Sequence, residues 1–200
     1  MCIHAISSMP IINTTIGVIL GIGIREVWDS IRRPTLRASF DVRDDGCKAH
    51  TVIGEDKSGE GFYIRAKVVN TKRLMAKSCR AFLVNVEQRN ARGEFESLKP
   101  KYDDSLTLTW SSQPGTLGQE PIDIPPGVTL YVDIVSTDKR VEGYRLHALL
   151  VPFRYVALLD NKPKVLQLTI LVTGDDVNKD TVKVIFDWRG QWDTFDVASG

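Results

Sequence analysis

The chain has 200 residues, a hydrophobic content of 42%, a charged content of 26% and a formal net charge of +1. That charged content excludes a multi-span membrane protein, and the near-neutral balance gives no whole-chain field for nucleic acid or an acidic partner. Length and hydrophobic content suffice for one domain with its own core plus a modest extra segment.

The chain opens on an apolar run. Residues 1–24 hold no Asp, Glu, Lys or Arg, and Met9–Ile24 is almost continuously apolar. As a helix that stretch would measure about 24 Å against a hydrocarbon core of about 30 Å, so spanning needs the flanks Ala5–Ser8 and Val27–Trp28. Trp28 stands where an interfacial aromatic belongs. Arg25, Arg32, Arg33 and Arg37 follow the run and no Lys or Arg precedes it. The positive-inside rule then predicts an N-terminus outside and a C-terminal domain in the cytoplasm. A cleaved signal peptide would want a basic leader and a small-x-small site, both missing here. A buried core helix and an interfacial helix are the other readings of the run. Gly17 and Gly21 form a GxxxG, whose spacing lets two membrane helices approach closely; a homo-oligomer through this helix is one reading, and simple tolerance of glycine in a membrane helix is the plainer one. The predicted organisation is an anchor and basic juxtamembrane segment over residues 1–34 and one domain over 35–200.

Pro34 ends the helical reading, and the hydrophobic period then becomes two. Leu36, Ala38 and Phe40 alternate with polar residues, and Asp44-Asp45-Gly46 signals a turn. Later inward sets are Phe62, Ile64, Ala66 and Val68; then Phe82, Val84 and Val86; then Leu106, Leu108 and Trp110. Leu130, Val132 and Ile134 follow, then Leu166, Leu168, Ile170 and Val172, and last Val182, Val184, Phe186 and Trp188. Turn residues separate them. His147–Leu159 is apolar without a period, and Pro152 argues against a central strand there. About seven or eight strands without a convincing helix predict an all-β, immunoglobulin-like antiparallel sandwich behind one N-terminal transmembrane helix.

Several short patterns resemble those of a loosely defined group of bacterial membrane-anchored proteins of unknown function with a cytoplasmic immunoglobulin-like sandwich. They are Arg32-Arg33-Pro34-Thr35-Leu36, Tyr63–Asn70 followed by Ala76 and Cys79, Leu108-Thr109-Trp110, Ile122–Gly127 and Trp188–Asp193. The resemblance implies the architecture and a place at the bacterial inner membrane, and it carries no catalytic residue. Val68, Asn70 and Ala76 are also spaced as in immunoglobulin-like adhesion and transport modules. In physical terms the pattern residues read as structural. Asn70 is expected to end a strand and cap its own turn. Trp110, Trp188 and Trp192 are expected in the core or at its rim, and Gly127 and Gly190 at positive φ.

Chemistry-bearing patterns are sparse. Cys2, Cys47 and Cys79 form no disulfide framework; a Cys47–Cys79 bridge is one reading and free thiols in a reducing compartment the other. Cys47, His50, Cys79 and His147 could assemble a zinc site only if the fold converged on them, and unrelated positions are the simpler expectation, with His50 in a loop and His147 packed. Asp176, Asn178 and Asp180 match the opening of a calcium loop, but Thr181 replaces the required glycine, so a polar hairpin loop is expected. Asp103-Asp104 and Asp175-Asp176 read as solvated loop carboxylates. Motifs for a serine nucleophile or a phosphate-cradling loop are missing from the sequence. No cofactor is expected.

One stretch carries a field: Arg65, Lys67, Lys72, Arg73, Lys77 and Arg80, with Tyr63 nearby. It is a candidate surface for anionic lipid headgroups or a small anionic ligand, against the plainer reading of a solvated face. The functional expectation is a membrane-tethered, non-enzymatic binding module for a protein partner, with membrane lipid as a second contact and nucleic acid disfavoured. The alternative is a membrane-linked sensor or effector whose β domain binds a small anion while the helix oligomerises.

Overall fold

Alternating burial organises the chain into strands wherever the sequence alternates. The computed structural model describes residues 33–53, 59–98, 105–111, 120–148 and 162–200. The first sheet holds β1 (Leu36–Ser39), β2 (Lys48–Ile53), β3 (Gly59–Asn70), β7 (Thr109–Trp110), β9 (Thr129–Asp138) and β10 (Val141–Leu146). The second holds β4 (Ala76–Arg89), β5 (Phe95–Ser97), β6 (Leu106–Thr107), β8 (Ile122–Ile124), β11 (Lys164–Asp175), β12 (Asp180–Gln191) and β13 (Thr194–Ser199). The described part of the chain is thus all-β, with two antiparallel sheets facing each other in a sandwich-like arrangement. Pro34–Gly200 forms one compact unit.

Among the described residues thirteen strand segments replace the expected seven or eight, because several short strands pair along the long central ones. β2 is one that periodicity misses, and it carries His50 on a strand rather than in a loop. The Leu106–Trp110 run is buried at each expected position but changes sheet midway: Phe82 and Leu83 pair with β6, whereas Asp133 and Val132 pair with β7.

Inward faces otherwise follow the pattern. Leu166, Leu168, Ile170 and Val172 are at most 1% exposed, as are Val184, Phe186 and Trp188. One inward set is corrected. Val86 is buried as expected, but Ala81 and Leu83 are buried with it in place of Phe82 and Val84. Ile170 pairs with Leu83 and Thr169 with Asn85, so Val84 is an extra residue. A bulge of this kind shifts the alternation by one, and Leu83 and Val86 then face the same way.

Turns and caps supply the rest. Asn70 ends β3; its Oδ1 accepts from the Lys72 backbone N–H at 3.2 Å, and its Nδ2 donates to the Leu74 and Ile124 carbonyls at 2.7 and 2.9 Å. Gly127 and Gly190 have φ of 72° and 94°. The 176–180 loop is a hairpin turn that fastens β1. Asn178 donates its backbone N–H to the Pro34 carbonyl and accepts from Leu36, and the Asp180 carboxylate accepts from the Ala38 N–H at 3.0 Å.

The expected membrane helix, with Gly17 and Gly21, lies outside the described residues, as do Cys2, Asp103-Asp104 and residues 149–161. Among the described residues no helix is long and apolar enough to cross a membrane.

Candidate functional site

Outward-facing side chains of β3, β9 and β10 meet in cross-strand rows. Tyr63, Ser136 and Arg145 are register partners across the three strands. One row along, Arg65 lies opposite Asp133, which lies opposite Thr109. Two irregularities put these residues on one face. In β9, Ile64 pairs with Val135 and Arg65 with Asp133, leaving Ile134 as an extra residue. Strict alternation would send Asp133 and Ser136 to opposite faces; the bulge brings them to the same one. In β10, Gly143 with φ of 90° interrupts the pairing between Val141 and Tyr144. Tyr144 then packs inward on Phe186 and Trp188, and Arg145 points out.

His147 closes the cluster. Its backbone N–H donates to the carbonyl of the bulged Ile134 at 3.0 Å, and its carbonyl accepts from the Thr109 N–H at 3.1 Å. Its Nε2 and the Ser136 Oγ share a hydrogen bond of 2.8 Å. The ring packs against Tyr63 with centroids 5.2 Å apart. The Arg65 guanidinium also approaches Tyr63, 4.8 Å from the ring centre, and donates to Asp133 at 2.6 Å.

Electrostatics follow from this packing. Burial drives the His147 imidazolium down to about 4, with Arg145 and Arg65 adding to the effect. Burial also raises the Asp133 carboxyl, against the pull of Arg65. A histidine held neutral in the fold but free to protonate when unfolded means that the unfolded state binds more protons between pH 6.5 and about 4. Stability is therefore complete above 6.5 and is lost as the pH falls toward 4. We expect the wild type to lose about 2–3 kcal/mol over that window and His147→Gln to lose much less, measured by urea denaturation at stepped pH. Equal slopes for the two proteins would refute this assignment.

Two surface concavities flank the β9–β10 hairpin. The smaller, of about 170 Å³, is lined by Tyr63, Ser136, Asp138, Val141, Gly143, Tyr144 and Arg145. The larger, of about 410 Å³, lies between that hairpin and the β12–β13 hairpin, with Lys139 and Arg140 on one wall and Gln191, Trp192 and Asp193 on the other. Trp192 is half-buried, stacked on Phe62 and approached by the Lys139 ammonium. Chemically, the smaller cavity offers donors to an anion and the larger a flat aromatic surface beside cations.

No protein-family model matches the chain, and no curated protein matches it in sequence.

The six residues of the basic stretch are distributed over different parts of the fold. Arg65 belongs to the cluster. Lys67 is held 2.8 Å from Asp44, whose carboxyl is lowered by that hydrogen bond and by the Gly46 N–H. Lys72 and Arg73 lie in the β3–β4 turn, and Lys77 and Arg80 are exposed on β4 in the other sheet. The four residues of the zinc reading stand apart: Cys47 and Cys79 are buried free thiols, His50 packs on Phe62, and His147 bonds Ser136. Among the described residues no group of three or more His, Cys, Asp or Glu is placed to hold a metal ion. Burial pushes the Cys79 thiol up to about 11. Sequence reasoning missed Asp133, Ser136 and Arg145. The one signal for Asp133 and Ser136 is a polar residue within the apolar Leu130–Val135 run and another just after it, and Arg145 on β10 carries none.

Proposed function

We propose that the β domain is a non-enzymatic binding module of immunoglobulin-like type, carried at the inner face of a bacterial membrane by residues 1–34. The observation that carries the module reading is the close packing of the core among the described residues. Trp110, Phe186 and Trp188 are at most 1% exposed, and the two concavities described are both at the surface around one hairpin end. A protein partner would dock across that end, on Trp192 and the Lys139–Arg140 turn, because half-buried aromatics and arginines supply most binding energy at such surfaces. Tethering would raise the local concentration of the partner site without tight binding. A catalytic reading draws little from the Ser136–His147 pair, since a base pushed down to about 4 is poorly matched to proton abstraction near neutrality.

A second reading is a sensor of a small anion. Its support comes from the Arg145–Ser136 cavity rather than from the basic stretch. The test of the leading reading compares the full chain with residues 35–200. The full chain should remain with membranes after alkaline carbonate extraction and the shorter one should not. Both should retain one shared partner, lost on Trp192→Ala combined with Lys139→Glu. Release of the full chain by carbonate would overturn the tether, and capture insensitive to the double substitution would overturn the docking end.

A further inference from the structure

The smaller cavity has the features of a ligand subsite. Arg145 forms no ion pair among the described residues, although it stands one strand away from a hydroxyl already fixed by His147. Asp138, the carboxylate in the lining, is paired with Arg140 at 3.1 Å; that hydrogen bond lowers its carboxyl, and the charge of Arg145 adds to the effect. We propose that this cavity takes the carboxylate of a small organic monoacid, with two guanidinium N–H groups of Arg145 donating to it and the Ser136 hydroxyl donating from the side. This rests on the sensor reading and names its ligand class.

Three features select that ligand. Arginine's planar fork matches the two oxygens of a carboxylate. Asp138 in the wall disfavours a dianion, which would meet a second negative charge, so a monoanion fits better than a phosphate ester. The volume of about 170 Å³ is well below that of cavities for drug-sized ligands, and Val141 and Gly143 offer an apolar wall for a short carbon chain. When Ser136 donates to the anion, His147 Nε2 must donate to Ser136, so binding selects one imidazole tautomer. Bound negative charge beside Arg145 also offsets the cation that disfavours imidazolium. The charged groups facing His147 are then Arg145, Arg65 and the ligand itself, with Asp133 held by Arg65.

The test uses the full chain in detergent micelles and follows the His147 imidazole nitrogens by NMR while sodium butyrate is added. Parallel titrations use n-butanol, inorganic phosphate and sodium chloride at matched ionic strength. Butyrate should give a saturable shift and move the His147 titration upward; butanol and chloride should do neither, and phosphate should bind more weakly. Arg145→Ala should weaken butyrate binding about tenfold or more, Arg145→Lys less, and Arg80→Ala not at all. If Arg145→Ala loses its dispersed amide spectrum, the Lys variant and Ser136→Ala carry the comparison. Equal responses to butyrate and chloride, or unchanged affinity in both Arg145 variants, would overturn the proposal. Absence of butyrate binding with partner capture intact would reject this site and leave the binding module standing.

Discussion

Trp188→Ala should destabilise the β domain by about 3–5 kcal/mol, the largest loss expected from a single truncation in this core. Trp188 is wholly buried on β12, paired with Lys164 on one side and Phe195 on the other. Its ring contacts Tyr144 at 5.5 Å and stacks near Phe186 at 6.1 Å, so the indole links the two sheets. Removing it leaves a cavity that two long paired strands cannot collapse to fill, and the loss should appear as a lower urea midpoint with little change in slope. The effect should reach the surface, since Tyr144 also lines the cavity beside Ser136. Trp188→Phe should recover roughly half the loss. A cost below about 1 kcal/mol for the alanine variant would mean that Trp188 does not hold the sheets together.

Arg65→Ala should cost about 3 kcal/mol or more at neutral pH. The Arg65 and Asp133 side chains are 22% and 9% exposed, so removal of the guanidinium leaves an ionised carboxylate buried without its partner. Burial already pushes the Asp133 carboxyl up, and loss of Arg65 pushes it further. A carboxyl raised in the fold binds its proton more tightly there than in the unfolded chain. The penalty should therefore be greatest well above the raised value and shrink as acid neutralises Asp133. Arg65→Met with Asp133→Leu should be much milder than Arg65→Ala, since no charge is then stranded. Urea denaturation of the single and double variants at neutral and acid pH measures both claims. A double variant as unstable as Arg65→Ala would show that the stranded charge is not the cause.

The sequence exposes the sheets better than it exposes the site, for a physical reason. A strand's inward set is local: Leu166, Leu168, Ile170 and Val172 repeat every second residue whatever they pair with. Where the backbone breaks period two, the reading breaks with it, as Val84 shows. The site is made by such a break. Ile134 is the extra residue that turns Asp133 and Ser136 to one face, and Gly143 turns Arg145 to meet them. Arg65 stands out in the sequence only as part of a basic run, yet its partner Asp133 is 68 residues away. Pairing register is a property of the folded sheets, and periodicity within one strand carries no trace of it. Local caps were legible for the opposite reason: Asn70 bonds to its own turn within four residues, although its reach to Ile124 was not.

β1 is held on both sides, by β3 through Leu36–Ser39 and by the Asn178–Asp180 turn through Leu36 and Ala38. A pull applied along its axis at Pro34 would load these bonds together in shear, and none could open alone as in a peeling hairpin. The first strand is thus a mechanical clamp: tension from the N-terminal side would have to break several bonds at once before the fold began to unravel.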